Sequence, residues 1–276
     1  MKYSPKEMQT LLDKNAFSFK KKFGQNFIID ENIIDSLLKN IELTQDTMVI
    51  EVGPGAGSLT YKLAQYAKKV LCYEIDTSLK EVLEKNLAPY SNIDIIYDDF
   101  LKRDLHKDLE NYSFDRLYVV ANLPYYITTP ILVKFIEEKV PAEKMVFMVQ
   151  KEVGDRFKAK PKTKDYGSLT VYLNYYFDVR KVIQVSKHVF LPKPNVDSIV
   201  IEFKRKDKLL PLKNSELFFK LVRDAFVQKR KTIKNNLKEY DLEKIEKVLK
   251  QYTFSLTSRA EELPLEVFVE IANTLS

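Results

Sequence analysis

A chain of 276 residues, 45% hydrophobic and 30% charged, can bury an ordinary core in one large domain plus a small one. Its single cysteine excludes an internal disulfide, and with two distant histidines it argues against a protein-built zinc site, so no metal is expected. A net charge of +6 points towards a polyanionic partner, while the lack of an apolar run of roughly 18 residues or of a signal peptide's apolar core predicts a cytoplasmic protein outside the membrane.

In chain order, Lys20-Lys21-Lys22-Phe23-Gly24-Gln25-Asn26-Phe27 precedes an amphipathic helix over Glu31–Leu38, with Ile33, Ile34, Leu37 and Leu38 on one face. The basic stretch reads either as a tail or as a lid whose lysines meet phosphate while residues 24–28 cover a ligand. Next come a strand, Thr47–Val52, the turn Gly53-Pro54-Gly55-Ala56-Gly57, and a helix over Ser58–Tyr66. Strand, glycine turn and helix form the opening unit of a nucleotide-binding sheet. The glycines alternate rather than following the dinucleotide spacing. A pattern of Glu-x-Gly-x-Gly-x-Gly favours close backbone approach to a ligand such as S-adenosylmethionine.

The second strand, Lys69–Ile75, ends in Glu74 and Asp76. Glu74 stands about 20 residues past the turn, where a carboxylate meets ribose hydroxyls. A helix over Leu79–Leu87 leads to a third strand, Asn92–Tyr97, followed by Asp99, placed to accept from an adenine amine, and Phe100. The fourth strand, Leu117–Ala121, runs into Asn122-Leu123-Pro124-Tyr125. Pro124 stops the ladder at the strand's carboxyl end, where open α/β sheets bind their ligands. Asn122 offers a carboxamide and Tyr125 a flat stacking surface, a set suited to a planar group bearing an exocyclic amine.

Thr129–Glu138 reads as a helix and Lys144–Gln150 as a strand; Lys151–Lys164 is rich in lysine and opens with a short helical turn. A helix over Thr170–Tyr176 precedes strands Val179–Val185 and Val196–Phe203. The His188–Asn195 segment between them is too proline-rich to be a strand. Phe190 on it is either the second wall of a base-binding slot or a loop-anchoring core residue. Beyond Phe203 the periodicity is helical only, over Leu217–Val227, Ile233–Leu237, Leu242–Leu249 and Leu265–Leu275. Lys229, Arg230, Lys231 and Lys234, interleaved with amides, read as a nucleic-acid contact, with Lys21, Lys22, Lys158 and Lys160 as further cations. Cys72, in mid-strand, reads as a packed core thiol. The composition shift divides the chain into residues 1–205 and a helical region, 206–276.

Taken together, Phe23-Gly24-Gln25-Asn26-Phe27, Glu51-Val52-Gly53-Pro54-Gly55-Ala56-Gly57 and Asn122-Leu123-Pro124-Tyr125 resemble the ribosomal RNA adenine dimethyltransferase family, more closely its small-subunit branch. Thr163–Leu169, Phe190–Ser198, Gln228–Thr232 and Asn235-Asn236-Leu237 extend the resemblance, which covers Lys21 to about Asn273. It implies a Rossmann-like, mostly parallel methyltransferase sheet with one antiparallel strand, plus a small all-α C-terminal domain. It implies S-adenosylmethionine as methyl donor, S-adenosylhomocysteine as product, and cofactor contacts at Asn26, Ile28, Gly53, Gly55, Glu74, Asp99 and Asn122. The target slot would be built from Asn122, Leu123, Pro124, Tyr125 and Phe190. The substrate would be two adjacent adenosines near the 3′ end of small-subunit rRNA, in an immature subunit met by a monomeric enzyme. Tyr126 stands where the family commonly has Asn, and Ile28 where Leu is usual. A non-catalytic RNA-binding assembly factor, a small-molecule methyltransferase and a large-subunit rRNA enzyme remain as alternatives.

Overall fold

The computed structural model describes Thr10, Lys20, and residues 24–124 and 127–276; Lys21, Lys22, Phe23, Tyr125 and Tyr126 lie outside the described residues. The chain runs β1 (Phe27–Ile28), α1 (Glu31–Ile41), β2 (Thr47–Val52), α2 (Thr60–Tyr66), β3 (Lys69–Tyr73), α3 (Lys80–Leu87) and β4 (Ile93–Ile96). Then follow α4 (Leu105–Leu109), β5 (Arg116–Asn122), α5 (Thr128–Glu137), β6 (Lys144–Gln150), α6 (Lys151–Phe157), α7 (Ser168–Tyr176) and β7 (Phe177–Val185). The remainder is β8 (Phe190–Leu191), β9 (Ser198–Arg205), α8 (Ser215–Ala225), α9 (Ile233–Asn236), α10 (Leu242–Gln251) and α11 (Leu265–Leu275).

Seven strands form a mostly parallel sheet in the order β4-β3-β2-β5-β6-β9-β7. The chain builds outward from β2 through β3 to β4, then returns to the other edge of β2 with β5 and β6. The strand order therefore reverses between β2 and β5, and the crevice at their carboxyl ends is where such sheets take ligands. Every residue of β2 is buried, as expected for a parallel strand covered on both faces. Helices supply the cover. In α1, Asp30 caps the first turn by accepting from the Asn32 N–H, and Ile34, Leu37, Leu38 and Ile41 form the buried stripe. The Asn92 carboxamide, at the entry to β4, donates to the carbonyls of Ala64 (2.9 Å) and Ala67 (3.0 Å), fastening the end of α2.

The chain divides into two compact units. One comprises Met1–Gly154 with Arg180–Phe203, the other Asp155–Val179 with Lys204–Ser276. The second has its own core, in which Tyr166, Val171 and Tyr175 are buried with Phe218, Leu221, Ile245 and Phe268. Tyr172 and Tyr175 meet Phe219 and Phe218 at ring-centroid distances of 5.0 and 5.2 Å. Residues 155–179, which composition alone groups with the first domain, thus share a core with the C-terminal helices.

Two features were not expected. Helix α4 is a short turn capped by Asp104, and Phe190–Leu191, within the proline-rich segment read as a loop, pairs antiparallel with β1. The strand stops at Pro192, as the missing donor requires. Among the described residues, no helix is long and apolar enough to cross a membrane.

Helix α6 reaches the sheet through Gly154. A Cβ there would come within 2.5 Å of Ile199 Cδ1 and 2.9 Å of Ile201 Cγ1, both fully buried. Replacing Gly154 with Ala is expected to destabilise the protein by about 1–3 kcal/mol, in spite of alanine's better helix propensity. Urea unfolding measures this directly, and an unchanged or higher midpoint would contradict the tight fit.

Candidate active site

The turn after β2 holds its shape because three glycines take left-handed backbone angles: φ is 74° at Gly53, 59° at Gly55 and 88° at Gly57. At Gly55 a side chain is excluded twice, by φ and by Phe27, whose Cε1 would lie 2.8 Å from a Cβ. At Gly53 a Cβ would meet nothing within 4 Å, so this stretch of backbone borders open space. The Asn86 carboxamide of α3 donates to the Ala56 carbonyl (2.9 Å) and pins the turn from behind.

Beside the turn, Glu74 follows β3. Its carboxylate accepts from the Gly55 N–H (3.1 Å) and the Asp76 N–H (2.8 Å). It is only 4% exposed, and burial pushes its pKa up to about 7 against these hydrogen bonds. Glu51, 1% exposed within β2, has weaker company: Cys72 Sγ at 3.6 Å from Oε2 and the neighbouring Thr60 hydroxyl. Burial pushes Glu51 up to about 8, and the charge of Glu74 adds to the effect. Burial and Glu51 likewise push the Cys72 thiol well up, so this cysteine is the inert core thiol expected from its position.

Asp76 behaves oppositely. Burial works to raise it, but hydrogen bonds from Lys20 (2.5 Å), Ser78 (2.6 Å) and Gln25 (2.8 Å) hold it below the usual carboxylate range. Those contacts tie the segment before β1 to the tip of β3. A second tie runs to the tip of β5, where the Asn122 Nδ2 donates to the Asn26 carbonyl (2.8 Å). With Nδ2 so engaged, Oδ1 is the acceptor that Asn122 has left to offer. The Pro124 carbonyl accepts from the Ile127 N–H (3.2 Å), and the Leu123 N–H donates to the Met148 carbonyl (3.2 Å). Leu123 therefore supplies the free main-chain carbonyl among the described residues of this turn. Phe190 is paired with Ile28 across the small sheet and buried in the same core cluster.

One cleft of about 810 Å³, counting the solvent at its mouth, joins these groups. Asn26, Ile28, Gly53, Gly55, Glu74, Asn122, Leu123, Pro124 and Phe190 all line it. So do Glu51, Ser58 and Ile75, which the sequence reading passed over. Glu51 was legible as the acid that opens the Glu-x-Gly pattern. Ile75 stood between two acids, and its 45% exposure is unusual for so apolar a side chain. Nothing in the sequence singled out Ser58, whose buried hydroxyl has no hydrogen-bond partner. Asp99 does not line the cleft; its carboxylate caps the turn that follows it by accepting from the Leu101 N–H (3.1 Å). Among the described lining residues there are two carboxyls and no lysine, arginine or histidine. Such a lining suits an uncharged or cationic ligand and disfavours a pyrophosphate.

In the second unit, Lys158, Lys160, Lys229, Arg230, Lys231 and Lys234 are all exposed. The Lys229 ammonium donates to the Lys164 carbonyl and lies 3.9 Å from Glu261 Oε2, and Lys158 pairs with Asp155 at 3.0 Å. The first of these contacts brings the two lysine-rich stretches together. Asn236, one of the amides interleaved in the basic run, turns its Nδ2 to the Ala225 carbonyl (2.6 Å) and is structural.

Residues 16–276 match the family described as ribosomal RNA adenine dimethylase. A ribosomal RNA small subunit methyltransferase A from Geobacillus sp. (strain WCH70) is 45% identical, with 99% of this chain and 97% of that protein covered. Another protein of that name, from Staphylococcus aureus (strain bovine RF122 / ET3-1), is 48% identical over 86% of this chain and 81% of its own length. Among solved structures, a dimethyladenosine transferase from Plasmodium falciparum superimposes with a TM-score of 0.74 at 25% identity, covering 89% of this chain and 95% of that one. The 23S rRNA methyltransferase ErmE gives 0.71 at 27% identity, covering 90% and 99%.

The buried acid sets a pH dependence. Folded, Glu51 keeps its proton to about pH 8, whereas an unfolded glutamate loses it near 4.5. The native chain binds more protons across that window, so its stability falls as pH rises through it. Replacing Glu51 with Gln is expected to flatten the fall in urea-unfolding stability; an unaltered pH slope would mean that Glu51 is solvated in the folded protein.

Proposed function

The chain belongs to the ribosomal RNA adenine dimethylase family, and from that premise we propose that it dimethylates the exocyclic amines of two adjacent adenosines near the 3′ end of small-subunit rRNA, using S-adenosylmethionine. One observation carries this reading. An acid-lined cleft without a cation among its described residues, at the point where the strand order reverses, ends at an asparagine whose amide is already oriented.

The cleft's residues fit the cofactor. Glu74 has the position to take ribose hydroxyls, Ile75 offers an apolar face for an adenine ring, and Gly53 leaves the backbone open to close approach. Asn26 and Ile28 close the cleft from the N-terminal segment. The bound cofactor supplies a methyl group on a sulfonium, which leaves as a neutral thioether. Asp99 caps its own turn through Oδ1, which leaves Oδ2 as an acceptor for an adenine amine.

The amine of adenine is a poor nucleophile because its lone pair is delocalised into the ring. Asn122 Oδ1 and the Leu123 carbonyl accept its two N–H groups, which favours a tetrahedral nitrogen with its lone pair turned towards the methyl. Tyr125 stacks on the adenine once the base has swung out of the RNA. Phe190, buried against Ile28 and lining the cleft, supports that slot from behind. Positioning carries most of the rate, and the methylated ammonium is acidic enough to lose its proton to water without a protein base. After the first transfer one N–H remains, and one of the two acceptors holds it for the second.

The exposed cations of the second unit supply the RNA affinity. Among the described residues, Arg230, Lys231 and Lys234 carry no ion pair, leaving their charges for phosphate. The likeness to a 23S rRNA enzyme keeps a large-subunit adenosine as the second reading, and mapping the modified position separates the two. Mass spectrometry of rRNA from cells lacking this protein is expected to show both adjacent small-subunit adenosines unmethylated, restored by the wild-type chain. Asn122→Ala is expected to lower turnover at least about 100-fold, with RNA affinity held within about twofold. Normal methylation in the deletion cells would overturn the function, and unaffected turnover of the variant would remove Asn122 from the mechanism.

A further inference from the structure

Glu51 and Glu74 share the cleft, but not the same support. Glu74 is held by two main-chain donors, the N–H groups of Gly55 and Asp76. Glu51 has only a thiol at 3.6 Å and a nearby hydroxyl. Its neighbours in the sheet register are Cys72 on β3 and Val120 on β5, and neither brings positive charge. The titratable groups that face it are Cys72 and, beyond the end of β3, Glu74; α2 contributes the Thr60 hydroxyl. A carboxylate in such surroundings is costly unless a cation joins it. No described residue lining the cleft provides one, so the ligand has to.

We propose that Glu51 reads the charge of the ligand: it holds its proton in the empty cleft, releases it to solvent when the cationic methyl donor enters, and holds it when the uncharged thioether product is bound. This deepens the reading of the cleft as an S-adenosylmethionine site and rests on it. The donor carries a sulfonium and, in its amino-acid portion, an ammonium and a carboxylate, for a net charge of +1. Its product keeps the zwitterion and loses the sulfonium charge. With the donor, the ionised Glu51 gains a partner. Once the methyl has left, that attraction is gone, and Glu51 takes one proton back from solvent. The step balances, with one proton out on donor binding and one in after transfer, apart from the proton lost by the methylated amine. It also makes the cleft favour donor over product, although the two ligands differ by one methyl group. Glu74 meets the same ribose in both ligands, so its contribution cancels in the comparison.

The test is calorimetric and needs no turnover. The full chain is titrated near neutral pH with S-adenosylmethionine and separately with S-adenosylhomocysteine, each in two buffers of different ionisation enthalpy. The dependence of the heat on buffer counts protons. The donor is expected to release more protons than the product, by a substantial fraction of one. The ratio of donor to product affinity is expected to rise with pH between about 6 and 8, by up to about tenfold per unit. Glu51→Gln is expected to bring the two proton counts together and remove the pH dependence of that ratio. Equal counts in the wild-type chain would overturn the proposal while leaving the cofactor site standing, and this comparison does not depend on the variant folding. Failure of either ligand to bind under any condition would remove the site itself, and the proposal with it.

Discussion

A parallel sheet that changes direction must leave a gap where two neighbouring strands send their connections to opposite faces, and here that gap lies between β2 and β5. The features of the cleft follow from it. Backbone emerging from β2 needs a turn compact enough not to fill the gap, which the left-handed glycines provide. Backbone emerging from β5 is stopped by Pro124, so that Asn122 remains at the rim. The segment before β1 spans both strand tips, held by Asp76 on one side and by the Asn122 amide on the other. The contact between Asn122 and Asn26 thus orients the amide and fastens the segment that borders the cleft.

Charge is divided between the two units. The cleft of the first unit is lined with acids and without described cations, while the second unit carries the exposed cluster at Lys158, Lys160 and residues 229–234. On the proposed function the exposed cluster draws phosphate, and the cleft has no described cation to do so. On that reading a nucleic acid offers its backbone to the basic face and an uncharged base to the cleft.

The sheet was largely legible because its strands are short β-branched runs bounded by glycine, asparagine and proline. Thr47–Val52 and Lys144–Gln150 were read with the boundaries found. The small β1–β8 pair was not, since two residues have no period and their pairing joins distant parts of the chain. Helix α7 is apolar around much of its circumference, so its sequence did not say with which core it would fold. Gly53, Glu74 and Asn122, which line the cleft, were legible because each ends a strand in a recognisable way. Asp99 also follows a strand, but an aspartate before Phe100-Leu101 is equally a turn cap, and its Oδ1 caps the turn here. Glu51 was passed over because the pattern around it drew attention to its glycines, although a buried acid among apolar residues is the more unusual feature.

The central claim is that one cleft holds the methyl donor on Glu74 and presents its methyl to an amine gripped at Asn122. A crystal structure of this chain with S-adenosylhomocysteine bound tests it most directly. The account predicts the ribose hydroxyls on the Glu74 carboxylate and the thioether sulfur turned towards the Asn122 carboxamide. A nucleoside seated away from Glu74, or a sulfur separated from Asn122 by protein, would contradict it.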